Sequence, residues 1–234
     1  MYLCATPIGN LEDVSLRLLR VLKEVAVIAA EDTRRTRKLL ARYDIHTRLV
    51  SCHQHSGAAR LRELTAALER GEDVAYVSES GTPGISDPGR ELMAEALRAG
   101  ARVEMVPGPN AAVMAVVLSG LPTREFTFAG FAPRKSGRRR KFLERLGLLE
   151  HTVVLYEAPQ RLCGLLEELL ALWGERPAAV ARELTKAHEE VFRGTLRTCL
   201  EHYSQHPPRG ECVVVVGGRA HTEEGGEGDY EPGD

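Results

Sequence analysis

Four turns rich in glycine and proline each follow an apolar run that is typical of a β-strand. Parallel strands bring their carboxyl ends to the same edge of a sheet, so such turns can converge on one crevice. Backbone amides and carbonyls exposed there can bind adenine edges, ribose hydroxyls and a carboxylate without charged side chains. The four turns are Thr6-Pro7-Ile8-Gly9-Asn10, Gly81-Thr82-Pro83-Gly84, Pro107-Gly108-Pro109-Asn110-Ala111 and Glu157-Ala158-Pro159.

The second of these turns belongs to a longer segment that lies between an apolar run and a helical pattern. The end of this segment, Ser86 or Asp87 with Pro88 behind it, is typical of a helix N-terminus. The preceding residues, Gly81 to Gly84, are more than a strand-to-helix connection needs. They therefore indicate a ligand at the strand end.

Several other chemistries have no support in the sequence. There is neither a G-x-x-x-x-G-K-[ST] loop nor a G-x-G-x-x-G after a strand, which leaves nucleotide hydrolysis and ordinary dinucleotide binding unsupported. His202 and His206 have the spacing of a helical metal pair but lack the adjoining glutamate, so we expect a surface pair and no metal site. The five cysteines are scattered without a C-x-x-C pair, which disfavours a disulfide framework. They are Cys4, Cys52, Cys163, Cys199 and Cys212.

The formal net charge of −2 hides an uneven distribution. The stretch from Glu223 to Asp234 carries six acids and no base, so we expect residues 219–234 to form an acidic disordered tail. In the remaining chain the bases outnumber the acids and are concentrated in two clusters, which favours contact with a polyanion. The clusters are Arg34, Arg35, Arg37 and Lys38, and Arg134, Lys135, Arg138, Arg139, Arg140 and Lys141.

The elements that must position these groups form two α/β lobes, which we place at 1–121 and 122–218. In the first lobe, apolar and amphipathic runs alternate, which predicts a mostly parallel sheet. The second lobe predicts a mixed sheet, and a cleft between lobes is a favoured ligand site. No apolar run approaches the ~20 residues of a membrane span, and there is no leader pattern, so we expect a cytoplasmic protein. The first-lobe strands are predicted at 1–8, 26–31, 48–53, 73–78 and 102–107, with helices at 15–24, 33–43, 57–70, 87–99 and 110–119; the second-lobe strands are predicted at 152–156, 178–184, 189–194 and 211–216, with a helix at 161–173.

Motifs along the chain resemble the tetrapyrrole methylase superfamily. Within it they are similar to the branch that methylates a cytidine ribose 2′-oxygen in the decoding region of small-subunit ribosomal RNA. The matching segments occur in family order and cover residues 1 to about 217, which makes chance resemblance remote. They are Ala5 to Asp13, Ala30-Glu31-Asp32-Thr33-Arg34, Gly81 to Gly89, Pro107-Gly108-Pro109, Tyr156-Glu157-Ala158-Pro159, Ala181 to Lys186 and Phe192-Arg193-Gly194-Thr195.

The resemblance implies two α/β lobes with S-adenosylmethionine (SAM) between them, small-subunit rRNA or the 30S subunit as partner, and a homodimer. It assigns RNA contacts to the two basic clusters and methyl-transfer roles to Asp32, Arg35 and Lys186. For Asp32 a second interpretation stays open, because an aspartate before a helix is also a favoured N-cap. The donor contacts that it implies are Pro7, Gly9, Gly81, Thr82, Pro83, Gly84, Ile85, Asn110, Ala111, Tyr156, Ala181, Arg182, Glu183, Leu184, Gly210 and Glu211.

Two positions depart from the branch, and two other functions compete with it. Glu79 stands where the branch commonly has an aspartate, and Gln160 where it commonly has a histidine. The competing functions are a small-molecule tetrapyrrole methylase, which would not need the basic clusters, and a non-catalytic RNA-binding assembly factor that has kept the fold.

Overall fold

The computed structural model describes residues 1–53, 58–86 and 90–219. The helix start predicted at Asp87 and Pro88 and the acidic tail beyond Arg219 lie outside these residues. The chain divides into two compact units between Ala111 and Ala112. This division falls ten residues before the boundary that the sequence suggests. One contact that joins the intervening helix to the second unit is a 2.6 Å hydrogen bond from Arg193 Nε to the Leu118 carbonyl.

The first unit contains a five-stranded, fully parallel sheet with the strand order β3-β2-β4-β1-β5. Every residue of β2 and β4 is buried, as expected for strands covered by helices on both faces. The parallel α/β arrangement predicted for this half is confirmed. The elements are β1 (Tyr2–Cys4), α1 (Leu16–Glu24), β2 (Val27–Ala30), α2 (Thr33–Arg42), β3 (Leu49–Ser51), α3 (Ala58–Glu69), β4 (Val74–Val77), α4 (Arg90–Arg98), β5 (Glu104–Val106) and α5 (Ala111–Ser119).

The second unit contains a mixed sheet with the strand order β6-β7-β10-β8-β9, in which β6 and β7 are parallel and the other pairs antiparallel. The prediction of a mixed second sheet is confirmed. The elements are β6 (Phe126–Phe131), α6 (Ser136–Leu146), β7 (Thr152–Glu157), a 3-10 turn (Pro159–Arg161), α7 (Leu162–Trp173), β8 (Pro177–Arg182), β9 (Glu190–Thr195), α8 (Leu196–Gln205) and β10 (Cys212–Val216).

Two helices of this unit were not among the predicted elements. Helix α6 coincides with the second basic cluster, where charge conceals the apolar positions Leu143 and Leu146. Helix α8 begins at a capping box in which Thr195 and Thr198 exchange side-chain and backbone hydrogen bonds. Among the described residues, no helix is both long and apolar enough to cross a membrane.

Candidate functional site

The loops after β1 and β4 are joined by two backbone hydrogen bonds at the carboxyl edge of the first sheet. The Thr6 amide donates to the Gly81 carbonyl at 2.9 Å, and the Gly81 amide donates to the Thr6 carbonyl at 3.0 Å. The Ser78 hydroxyl donates to the same Gly81 carbonyl at 3.1 Å. Gly81 has φ +79°, and a Cβ there would lie 3.2 Å from Ile8 Cγ2 and 3.4 Å from the Pro109 carbonyl oxygen. Only glycine combines this backbone angle with this close approach.

The loop after β5 lies against the other two. A Cβ on Gly108 would lie 3.0 Å from the Ala5 Cβ, so this loop also approaches at backbone distance. Thr82 Oγ1 donates to the Pro109 carbonyl at 3.3 Å, and Asn110 Nδ2 donates to Thr82 Oγ1 at 3.3 Å. The structure therefore brings together the three strand-end loops that carry the predicted donor contacts of the first unit. Those contacts are Pro7, Gly9, Gly81, Thr82, Pro83, Gly84, Ile85, Asn110 and Ala111.

One residue of this edge was missed by the sequence reasoning. The Thr6 side chain is 5% exposed, and its hydroxyl has no hydrogen-bond partner among the described residues. Leaving a buried hydroxyl unpaired costs about 1–3 kcal/mol. A bound polar ligand would relieve this cost, so the site fits a molecule that offers hydrogen-bonding groups.

The end of β2 carries the first of the predicted methyl-transfer residues. Asp32 Oδ1 accepts a hydrogen bond from the Arg34 amide at 2.8 Å, and Asp32 Oδ2 pairs with Arg34 Nη2 at 3.2 Å. The N-cap interpretation of Asp32 is therefore confirmed. Hydrogen bonding to the Arg34 side chain, followed by that to its amide, lowers the pKa of the Asp32 carboxyl. Arg35, the second candidate, pairs through Nε with Glu79 Oε1 at 2.9 Å.

A neighbouring carboxylate that the sequence did not single out differs from these. Glu31 is partly exposed, and its Oε2 accepts a long hydrogen bond of 3.4 Å from the Glu79 amide. Burial raises the pKa of the Glu31 carboxyl, which the nearby carboxylates of Glu79 and Asp32 also raise. No spacing in the sequence could distinguish Glu31 from Asp32, because the difference lies in their partners.

The predicted donor contacts of the second unit also meet at one sheet edge. Tyr156 of β7 and Ala181 of β8 both pair with Val213 of β10, so the three form one row across the sheet. The next row pairs Cys212 with Glu157 and with Arg182. Because β10 is antiparallel to both neighbours, its first residues lie beside the last residues of β7 and β8. This arrangement gathers Tyr156, Ala181, Arg182, Glu183, Leu184, Gly210 and Glu211.

The loop after β8 has an unusual backbone that depends on Gly210. Glu183 and Thr185 have φ +51° and +64°, in the left-handed region that side chains disfavour. Gly210 has φ +76°, and a Cβ there would overlap the Glu183 carboxylate. Lys186, the third methyl-transfer candidate, donates through Nζ to Glu183 Oε1 at 2.8 Å. Its ammonium group is therefore held beside this loop.

The two basic clusters lie on helices, and all but one of their side chains are exposed. The exception corrects the expectation for Arg139, which is 7% exposed. Its Nη1 pairs with the fully buried Glu157 at 3.1 Å, and its Nε pairs with Glu168 at 2.9 Å. Arg139 therefore holds α6 against β7 and α7 and is not available to a polyanion. The exposed members are Arg34, Arg35, Arg37 and Lys38 on α2, and Arg134, Lys135, Arg138, Arg140 and Lys141 on α6 or just before it.

Metal chemistry has no support in the described part of the chain, where no three histidine, cysteine, aspartate or glutamate side chains are grouped as metal ligands. The stacked rings of His202 and His206 contact Phe192 and Glu190 through His202.

Comparison with known proteins relates this geometry to a family. A family model described as "Tetrapyrrole (Corrin/Porphyrin) Methylases" matches residues 1–199. Two relatives are each named "Ribosomal RNA small subunit methyltransferase I". The one from Halalkalibacterium halodurans is 47% identical, over 93% of this chain and 75% of its own length. The one from Thermotoga maritima is 43% identical, over 94% of this chain and 98% of its own length.

Solved structures show the same fold. A uroporphyrin-III-C-methyltransferase from Thermus thermophilus superposes with a TM-score of 0.65 at 27% identity, covering 94% of each chain. A cobalt precorrin-4 methyltransferase superposes with a TM-score of 0.70 at 17% identity, covering 92% of this chain and 93% of its own. At this second level of identity the likeness concerns the fold alone.

Proposed function

The chain belongs to the tetrapyrrole methylase family, and we propose that within it the protein methylates small-subunit ribosomal RNA. The reaction would transfer a methyl group from SAM to the ribose 2′-oxygen of a cytidine in the decoding region. The observation that carries the proposal is the exposed basic surface of α6 in a chain whose similar relatives are named as rRNA methyltransferases. A pocket for a small tetrapyrrole has no need of such a surface, whereas RNA phosphates are bound by clustered lysine and arginine.

The residues at the two sheet edges fit SAM. The unpaired Thr6 hydroxyl and the backbone groups around Gly81 offer hydrogen bonds without adding charge. In the second unit, Tyr156 and the residues around Glu183 and Gly210 offer an aromatic ring, backbone groups and a carboxylate. When bound, SAM supplies an electrophilic methyl group on a sulfonium centre.

The protein's own task in this reaction is alignment. Methyl transfer from a sulfonium is an in-line displacement, and correct positioning of two reactants can supply several kcal/mol of the barrier. A ribose hydroxyl is a weak nucleophile, so a group that takes its proton or lowers its pKa would accelerate the step. The α6 basic surface would hold the RNA through its phosphates, which position the strand but do not read its sequence.

The partners follow from the same proposal. The resemblance implies a cytoplasmic homodimer that binds rRNA or the 30S subunit. Sedimentation velocity on the purified protein would test the homodimer, and a single species at the monomer mass would contradict it.

A direct test compares two acceptors. The protein is incubated with radiolabelled SAM and either small ribosomal subunits from cells lacking the gene or a tetrapyrrole such as uroporphyrinogen. Incorporation into the rRNA of the subunits alone supports the proposal. Incorporation into the tetrapyrrole alone would favour the small-molecule methylase, for which the fold likeness to uroporphyrin-III-C-methyltransferase is the supporting observation.

A third function has its own test. A non-catalytic assembly factor would bind rRNA without binding SAM. Calorimetry of SAM binding decides between them, because a catalytic role requires a measurable affinity for the donor.

A further inference from the structure

Three carboxylates lie at the ends of the neighbouring strands β2 and β4, and they differ in their partners. Asp32 caps α2 and pairs with Arg34, so both of its oxygens are occupied. Glu79 pairs with Arg35. Glu31 has no cation within 4 Å among the described residues and accepts only the long hydrogen bond from the Glu79 amide.

This difference decides which of the three can take up a proton. A carboxylate paired with arginine is stabilised in its charged form and is a weak base. Burial of Glu31 raises the pKa of its carboxyl above the ordinary 4.5, and the carboxylates of Glu79 and Asp32 add to the increase. The Glu79 amide and His53 oppose it. Glu31 is therefore the most basic of the three carboxylates, while its partial exposure leaves it accessible.

Glu31 also lies against the loop that carries the proposed donor site. Its hydrogen-bond donor, the Glu79 amide, immediately follows Ser78, whose hydroxyl donates to the Gly81 carbonyl. Gly81 in turn pairs with Thr6, whose buried hydroxyl has no partner among the described residues. This unpaired hydroxyl is an observation independent of the carboxylates, and it indicates a ligand at the same edge.

We propose that Glu31 is the general base that takes the proton from the ribose 2′-hydroxyl, an assignment that rests on the proposed function. The hydroxyl oxygen forms a bond to the methyl carbon as the carbon–sulfur bond breaks, and that electron pair remains on sulfur. The proton passes to the Glu31 carboxylate and from there to water. The products are a methylated ribose and neutral S-adenosylhomocysteine. Asp32 then keeps a structural role as the cap of α2.

The test is the pH profile of methyl transfer to small subunits by wild type, Glu31→Gln and Asp32→Asn. The Glu31→Gln side chain keeps an oxygen for the Glu79 amide but cannot accept a proton at these pH values. We expect its kcat to fall by about 100-fold or more, the range that general bases contribute. The wild-type rate should fall as the pH drops through the pKa of Glu31, and Glu31→Gln should lose this acidic limb. Asp32→Asn should retain the limb, whatever its effect on the rate.

Two further measurements separate catalysis from binding and folding. Calorimetry should give Glu31→Gln the wild-type affinity for SAM, since a base for the acceptor does not hold the donor. Glu31→Asp keeps a carboxylate one methylene shorter, so it should restore part of the rate together with the acidic limb.

Several results would overturn the assignment. These are an acidic limb that persists in Glu31→Gln, a limb that disappears in Asp32→Asn, or a loss of SAM affinity in Glu31→Gln as large as the loss of rate. Wild-type protein that binds SAM but methylates no rRNA would refute the proposed function, and the base with it. That failure is visible before any variant is measured.

Discussion

Gly81 offers a sharp test of the donor site, because the structure separates its two costs. Alanine at this position must adopt φ +79° and must also displace Ile8 Cγ2 at 3.2 Å and the Pro109 carbonyl at 3.4 Å. The left-handed angle alone costs about 1–2 kcal/mol for a residue with a Cβ. Gly71 provides a matched control, since it has the same φ of +79° but nothing within 4 Å of the added Cβ.

We therefore expect both Gly81→Ala and Gly71→Ala to lose about 1–2 kcal/mol of unfolding free energy in urea. Only Gly81→Ala should alter the loops after β1, β4 and β5, because only its Cβ meets them. Its affinity for SAM, measured by calorimetry, should fall by about tenfold, which corresponds to 1.4 kcal/mol. Gly71→Ala should bind SAM as wild type does. Wild-type affinity in Gly81→Ala, or an equal loss in both variants, would refute the placement of the donor at this edge.

Three other predictions concern charge. Replacing the exposed Arg138 and Lys141 with alanine should weaken RNA binding and make its salt dependence shallower by about 0.7–0.9 per lost phosphate contact, as measured by filter binding over a salt series; an unchanged slope would remove α6 from the RNA interface. Arg139→Met should leave that slope unchanged but lower the unfolding free energy by about 3 kcal/mol, because it deprives the buried Glu157 of a partner; a stability equal to wild type in urea would contradict this role. The lowered pKa of Asp32 stabilises the fold above the usual value of 3.8, and this contribution is lost as the pH falls through the folded-state pKa. Asp32→Asn should therefore lose less stability than wild type in acid unfolding, and equal losses would show that the pair with Arg34 contributes nothing.

Much of the fold could be predicted from local patterns. Alternating apolar and amphipathic runs predict the first sheet because each parallel strand there is followed by a helix. The continuous apolar run Val213 to Val216 predicts a strand buried on both faces, and β10 is the buried centre of its sheet. The strand-end turns predict loops that meet at a sheet edge, and three of them do so in the first unit.

The roles of individual charges could not be predicted in the same way. Arg139 stands in a basic cluster, and only its helical spacing from Leu143 and Leu146 places it on the buried face of α6. That periodicity was a usable signal, concealed by the density of charge around it. Glu31 carried no such signal, because its difference from Asp32 depends on which of them an arginine reaches.

The most direct test of the central claim is the ribose methylation of small-subunit rRNA in cells that lack this gene. Mass spectrometry of the decoding region should show an unmodified cytidine ribose in these cells. Expression of the wild-type protein should restore the 2′-O-methyl group at that position. A methylated cytidine that persists without the gene, or one that the wild-type protein does not restore, would contradict the account.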